Sequence, residues 1–121
     1  MSYTHTDNVV YAQSPADPTK AYVTSSPAAT GAITILKEVT INTLTCPVTS
    51  IGAGAFNGNT LTSVTFPSDS LITTIGNNAF KNSGLSTINI PDSVITIGDY
   101  AFTLNKLETL SGGKNLTTIG Q

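Results

Sequence analysis

One phrase returns along this chain: SIGAGAF at 50–56, TIGNNAF at 74–80 and TIGDYAF at 96–102, with TIGQ opening a fourth copy at 118–121. Counted on the isoleucine before each glycine (Ile51, Ile75, Ile97, Ile119), the spacings are 24, 22 and 22 residues. The match runs well past the phrase. Val48, Ile72, Val94 and Leu116 stand three positions before it, and Ala55-Phe56, Ala79-Phe80 and Ala101-Phe102 close it. Leu61, Leu85 and Leu107 follow in one column, then Val64, Ile88 and Leu110. Phe66 and Ile90 share a last column that Gly112 breaks. A repeat of this length specifies a solenoid, in which each coil buries its apolar side against the next. The repeated apolar residues are therefore read as core.

The columns translate into shape. LTSVTFP and LSTINIP end in apolar-polar-apolar alternation, the mark of a strand with one buried face. Each stops at a proline, Pro67 or Pro91, which has no N–H for a ladder. VTSIG and ITTIG supply a second extended piece on another side of the coil. The glycine after each isoleucine permits a positive φ or a tight corner. AGAF, NNAF and DYAF are expected to make one helical turn, with Phe plugging the coil centre. Residues 1–30 differ. NVVYAQ and KAYVTSS read as short strands around the turn-prone SPADPTK. A first coil needs an atypical cover, so Val9 to Ser25 is expected to cap it; the alternative is a disordered tail.

Composition narrows the function classes. At 121 residues the chain is about one domain. It is 10% charged with net charge -2, and its five basic residues are all lysine. That excludes the clustered cations of a nucleic-acid surface and a polybasic membrane patch. Apolar runs of a few residues are too short for a membrane-spanning helix. MSYTHTDNVVYAQ has neither the basic nor the apolar region of a signal peptide.

These residues resemble the BspA-type leucine-rich repeat family, from Val48 to about Leu110. The preceding GAITILKEVTINTLTCPVTSIG, 31–52, is similar to that family's lead-in. Where the family often has Cys three residues after the Phe, this chain has Asn59, Ser83 and Asn105. Its third coil reads LSGGK in place of Ile-Pro. The resemblance implies a β-rich leucine-rich-repeat solenoid of about three coils, each of 22–24 residues, behind an atypical N-terminal β cap. The domains expected are 1–30 as tail or cap and 31–121 as solenoid. The solenoid divides into lead-in strands 31–46, coils 47–70, 71–93 and 94–114, and a partial coil 115–121. It also implies surface or extracellular proteins that adhere to other proteins or cells.

Few residues offer chemistry. His5, the one histidine, lies near Asp7 with no nucleophile at fixed spacing, and Cys46 has no adjacent base. The seven carboxylates form no close pair for acid–base work. No metal, phosphate-loop or calcium-loop spacing is present. No cofactor, catalytic or metal residue is expected, and the chain is read as non-enzymatic. Asn115-Leu116-Thr117 fits the glycosylation pattern, which matters only on export from a eukaryotic cell.

What remains is surface. Beside the core columns stand Thr62, Ser86 and Glu108; Ser63, Thr87 and Thr109; Thr65, Asn89 and Ser111. With coils about 4.8 Å apart these form polar ladders. They are either a solvated face or a broad recognition surface for a protein partner. Ice binding is a minor third reading, because Glu108 interrupts a column. An alternative function is a structural subunit that assembles end to end into a filament. Leu116 and Ile119 of an uncovered final coil would then meet identical subunits.

Overall fold

The computed structural model describes residues 2–120, apart from the side chains of Thr109 and Leu110. The expectations for those two side chains, and for Gln121, lie outside the described residues.

The chain is a β-solenoid of about four turns with no helix among the described residues. It begins with β1 (Ser2–Thr4), β2 (Val10–Gln13) and β3 (Ala21–Val23), an antiparallel meander. β2 and β3 fall in NVVYAQ and KAYVTSS. β4 (Gly31–Thr34) and β5 (Glu38–Ile41) lead to β6 (Leu44–Ile51). The repeats supply β7 (Leu61–Thr65), β8 (Thr74–Ile75), β9 (Thr87–Ile90), β10 (Thr96–Ile97), β11 (Thr109–Gly112) and β12 (Thr118–Ile119).

One wall of the solenoid is the sheet β1-β2-β3-β6-β8-β10-β12. From β3 onward its strands are parallel, and Ile51, Ile75, Ile97 and Ile119 lie side by side in register. The meander thus extends the sheet beyond the first coil and leaves Val9, Tyr11, Ala21 and Val23 buried. The second wall is less regular than the columns imply. β4 pairs β7 and β9 pairs β11, but no ladder joins β7 to β9 among the described residues. Leu61 and Val64 are both buried, as are Leu85 and Ile88 in the same columns of the next coil. Ile88 and Ile90 alternate with exposed residues along β9. The expected polar ladders are continuous only within each pair. β11 keeps register with β9 as far as Gly112 opposite Ile90, despite the lost Ile-Pro. Gly112 has φ 82.

Between the walls, Phe56, Phe80 and Phe102 stack with ring centroids 5.2 and 5.5 Å apart. The helical turn expected around them does not form. Gly54, Phe56 and Gly58 donate their N–H groups to Asn77, Ala79 and Lys81 of the next coil, at 2.8–2.9 Å. Asn78, Phe80 and Asn82 do the same to Asp99, Ala101 and Thr103. Left-handed residues at Gly54, Gly58, Asn78, Asn82, Tyr100 and Leu104 point these groups along the solenoid axis. A helix would consume the same donors within one coil.

The glycine after each repeated isoleucine (Gly52, Gly76, Gly98 and Gly120) is not at positive φ; it leaves room for the preceding coil. A Cβ on Gly76 would sit 2.7 Å from Ala53 N, and one on Gly98 2.6 Å from Asn77 N. Here each backbone crosses its predecessor, with Gly76 N–H on Ile51 O and Gly98 N–H on Ile75 O, both 2.8 Å.

Candidate functional site

The strip of polar side chains lies on the second wall. Thr62, Thr65, Ser86, Thr87, Asn89, Glu108 and Ser111 are exposed, while Ser63 is half-buried. β7 presents Thr62, Ser63 and Thr65; β9 presents Thr87 and Asn89, just after Ser86. Glu108 leads into β11, where its N–H bonds Ser86 O at 2.7 Å. Ser111 Oγ donates to Asn89 Oδ1 at 3.1 Å across the β9–β11 pair. Glu108 is the one charged side chain of the strip.

At the end of the strip lies a groove of about 310 Å³ between the loops that follow β7 and β9. Half-buried Phe66 and Pro67 meet Asn89, Pro91 and Asp92 there. Lys114 Nζ lies 3.6 Å from Asp92, and Asn115 donates to Asp92 O at 2.9 Å. The ion pair is well exposed and contributes little rigidity; the Asn115 bond holds that side of the groove.

Leu116 is half-buried against the core. Ile119 pairs with Ile97 yet is 67% exposed. It lines an open groove of about 220 Å³ with Ile97, Ala101 and Phe102.

The reactive residues stay apart. His5 Nδ1 is 2.9 Å from the Tyr3 hydroxyl, whereas Asp7 accepts from Val9 N at 3.2 Å and Thr34 N at 3.1 Å. Asp7 is thus a brace between the meander and β4. Cys46 is buried beneath Pro18 O and Leu44 O. No three metal-ligating side chains converge among the described residues. Asp17 is held below the usual carboxylate range, first by the Thr19 hydroxyl and then by its N–H.

Two features escaped the sequence reading. Asn59, Ser83 and Asn105 form a polar seam between coils. Ser83 Oγ donates to Phe56 O at 2.6 Å, and Asn105 Nδ2 to Phe80 O at 2.6 Å and Phe102 O at 2.9 Å. Asn105 Oδ1 accepts from Ser83 N and Leu85 N. The recurrence of small polar residues there is the signal that marks it. The second is an antiparallel hairpin of β5 and β6, closed by Asn42 and Thr43 at φ 52 and 68. Without the usual glycine, INTL gives little sign of it.

No curated protein matches the chain. Among solved structures it is similar to the pneumococcal vaccine antigen PcpA, with TM-score 0.68 and 19% identity over 98% of this chain and 40% of that one. It is also similar to a leucine-rich cell surface protein of Faecalibacterium prausnitzii A2-165, with TM-score 0.48 and 20% identity over 98% of this chain and 44% of that one. The chain thus spans less than half the length of either. The BspA type leucine rich repeat region matches residues 33–121 in six copies. With the stacked coils in view, the chain belongs to the BspA-type leucine-rich repeat family.

Proposed function

We propose that the chain is a non-enzymatic protein-interaction module, working at a cell surface or outside the cell, and that the second wall is its binding face. The observation that carries this reading is the strip itself. Short hydroxyl and amide side chains stand on strands whose backbones are already hydrogen-bonded and whose other face is core. Such a surface loses little conformational entropy when it docks a partner. Leucine-rich-repeat solenoids are generally interaction scaffolds without catalysis, and PcpA, a structural neighbour, is described as a vaccine antigen.

The test replaces Thr65 and Thr87 with arginine, two exposed positions where a long side chain blocks docking without entering the core. Wild type and variant are immobilised, a detergent extract of cell-surface proteins is passed over both, and captured proteins are purified for calorimetry. Binding is expected to vanish in the double variant and to survive Lys20→Gln on the meander side. Equal affinity for wild type and double variant sinks the reading.

A further inference from the structure

We infer that the groove between the loops after β7 and β9 is a carbohydrate site, taking a neutral pyranose sugar against the Phe66 ring. It adjoins the strip of polar side chains but does not rest on the reading of that strip.

The groove lies inside the stack. It encloses about 310 Å³, the lower end of the range of about 300–1,000 Å³ for small-ligand pockets. Phe66 and Pro67 form one side, and Asn89, Pro91 and Asp92 the other. β7 pairs with β4 of the lead-in, and β9 pairs with β11 of the third coil. Both sides therefore sit within the solenoid rather than at either end of it.

The lining combines an aromatic ring with polar groups that have no other partner. In one repeat column the second coil buries Ile90, whereas the first leaves Phe66 half-buried, packed on the core and lining the groove. The third coil has Gly112 there. A Cβ on Gly112 would overlap Ile90 O and lie 2.6 Å from Asn89 Oδ1, so a side chain at 112 would push Asn89 aside. Asn89 Oδ1 accepts from Ser111 Oγ at 3.1 Å. Among the described residues, the Asn89 amide nitrogen and the Ser68 hydroxyl make no hydrogen bond. With the Asp92 carboxylate they supply donors and acceptors around the ring.

Charge and backbone narrow the ligand. Lys114 Nζ lies 3.6 Å from Asp92, and Lys37 Nζ lies 3.1 Å from Asp69, the residue after Ser68. Each carboxylate beside the groove has its own cation, so the site favours neither an anion nor a cation. The backbone offers little to an extended peptide. Pro67 and Pro91 have no N–H, and their carbonyls accept from Ser70 N and Val94 N at 3.0 and 3.1 Å. Gly113 N–H donates to Ile90 O at 2.9 Å. Recognition falls to the side chains. A pyranose is neutral, and the C–H groups of one ring face can lie on the negative face of an aromatic ring. Its hydroxyls, each both donor and acceptor, then meet the amide, hydroxyl and carboxylate groups.

The probes are lactose, maltose and cellobiose at millimolar concentration, read by saturation-transfer difference NMR against the 121-residue chain. At least one is expected to receive saturation at its ring C–H protons. Phe66→Leu keeps an apolar side chain on the core and removes the aromatic face. Asn89→Ala removes the amide from an exposed position. Both variants should melt as wild type does, and each should weaken binding by about threefold or more. Lys20→Gln, on the meander, should change nothing. No transfer to any of the three sugars, or undiminished binding in both variants, overturns the proposal. Tighter binding of sialyllactose than of lactose also overturns it, because the site would then favour an anion. A proline-rich peptide that binds wild type but not Phe66→Leu, where no sugar binds, assigns the groove to a protein segment and likewise overturns it.

Discussion

Phe80 shows how much a single side chain contributes to this stack. It is fully buried and faces a ring on each side. Phe80→Ala removes both contacts and leaves a cavity that the neighbouring coils cannot close, at a cost of about 3–5 kcal/mol. Thr87→Ala, on an exposed site, should stay within about 0.5 kcal/mol; paired urea melts check the contrast. Tyr11 tests a buried polar group. Its hydroxyl accepts from Leu36 N at 3.0 Å and donates to Thr34 O at 3.3 Å. Burial, partly opposed by the Leu36 bond, pushes its pKa from 10.0 up to about 12. A raised pKa means that folding favours the neutral phenol. The associated stability is complete below pH 10 and is lost as pH rises toward 12. The loss has a limiting slope of about 1.4 kcal/mol per pH unit. Tyr11→Phe should remove this part of the alkaline loss in pH-dependent melts. It should cost about 1–3 kcal/mol at neutral pH, because Leu36 N and Thr34 O lose their partner.

The β5–β6 hairpin is held by its strands rather than by its turn. Val39, Ile41 and Cys46 are buried, while Leu44 beside the turn is 42% exposed. Thr43 is a β-branched residue at φ 68, a conformation that such residues rarely adopt. Thr43→Gly relieves that crowding and should stabilise the protein by about 0.5–1 kcal/mol, after glycine's own entropy cost. A fall in melting temperature would show that the turn is held by something other than its backbone. The polar seam is the opposite case, since local geometry alone does not require it. Asn105→Ala leaves the Ser83 and Leu85 N–H groups without their acceptor. It should cost about 1–3 kcal/mol, whereas Lys106→Ala next to it should cost little.

In the whole molecule, stability passes from coil to coil, because each coil touches only its neighbours. The β1–β3 meander covers the first coil and gives β6 its partner on that side. Deleting residues 1–25 uncovers that edge together with Val48 and Ile51. The truncated chain is expected to melt at lower temperature, to bind a dye for exposed apolar surface and to associate through the freed edge. An unchanged melting curve and monomeric mass would show that the meander is dispensable.

Much of this architecture is legible in the residues themselves. The repeat set the length and register of the coils, though not their number, because a side chain that must pack on its equivalent one coil away can only recur at the coil length. Thr-Ile before glycine, and proline after alternating residues, marked one wall and the ends of the other for the same local reason. The turn was another matter. Ala-Phe among glycines and asparagines suits a helical turn as well as an open one, and the choice fell to the N–H groups, which bond the next coil. The glycine after isoleucine, the Asn105 seam and the break between β7 and β9 depend on how closely one coil passes another. The strip's residue types were visible in the columns, but their arrangement was not. Whether outer side chains line up across coils depends on the twist of each strand, and only packing fixes that twist.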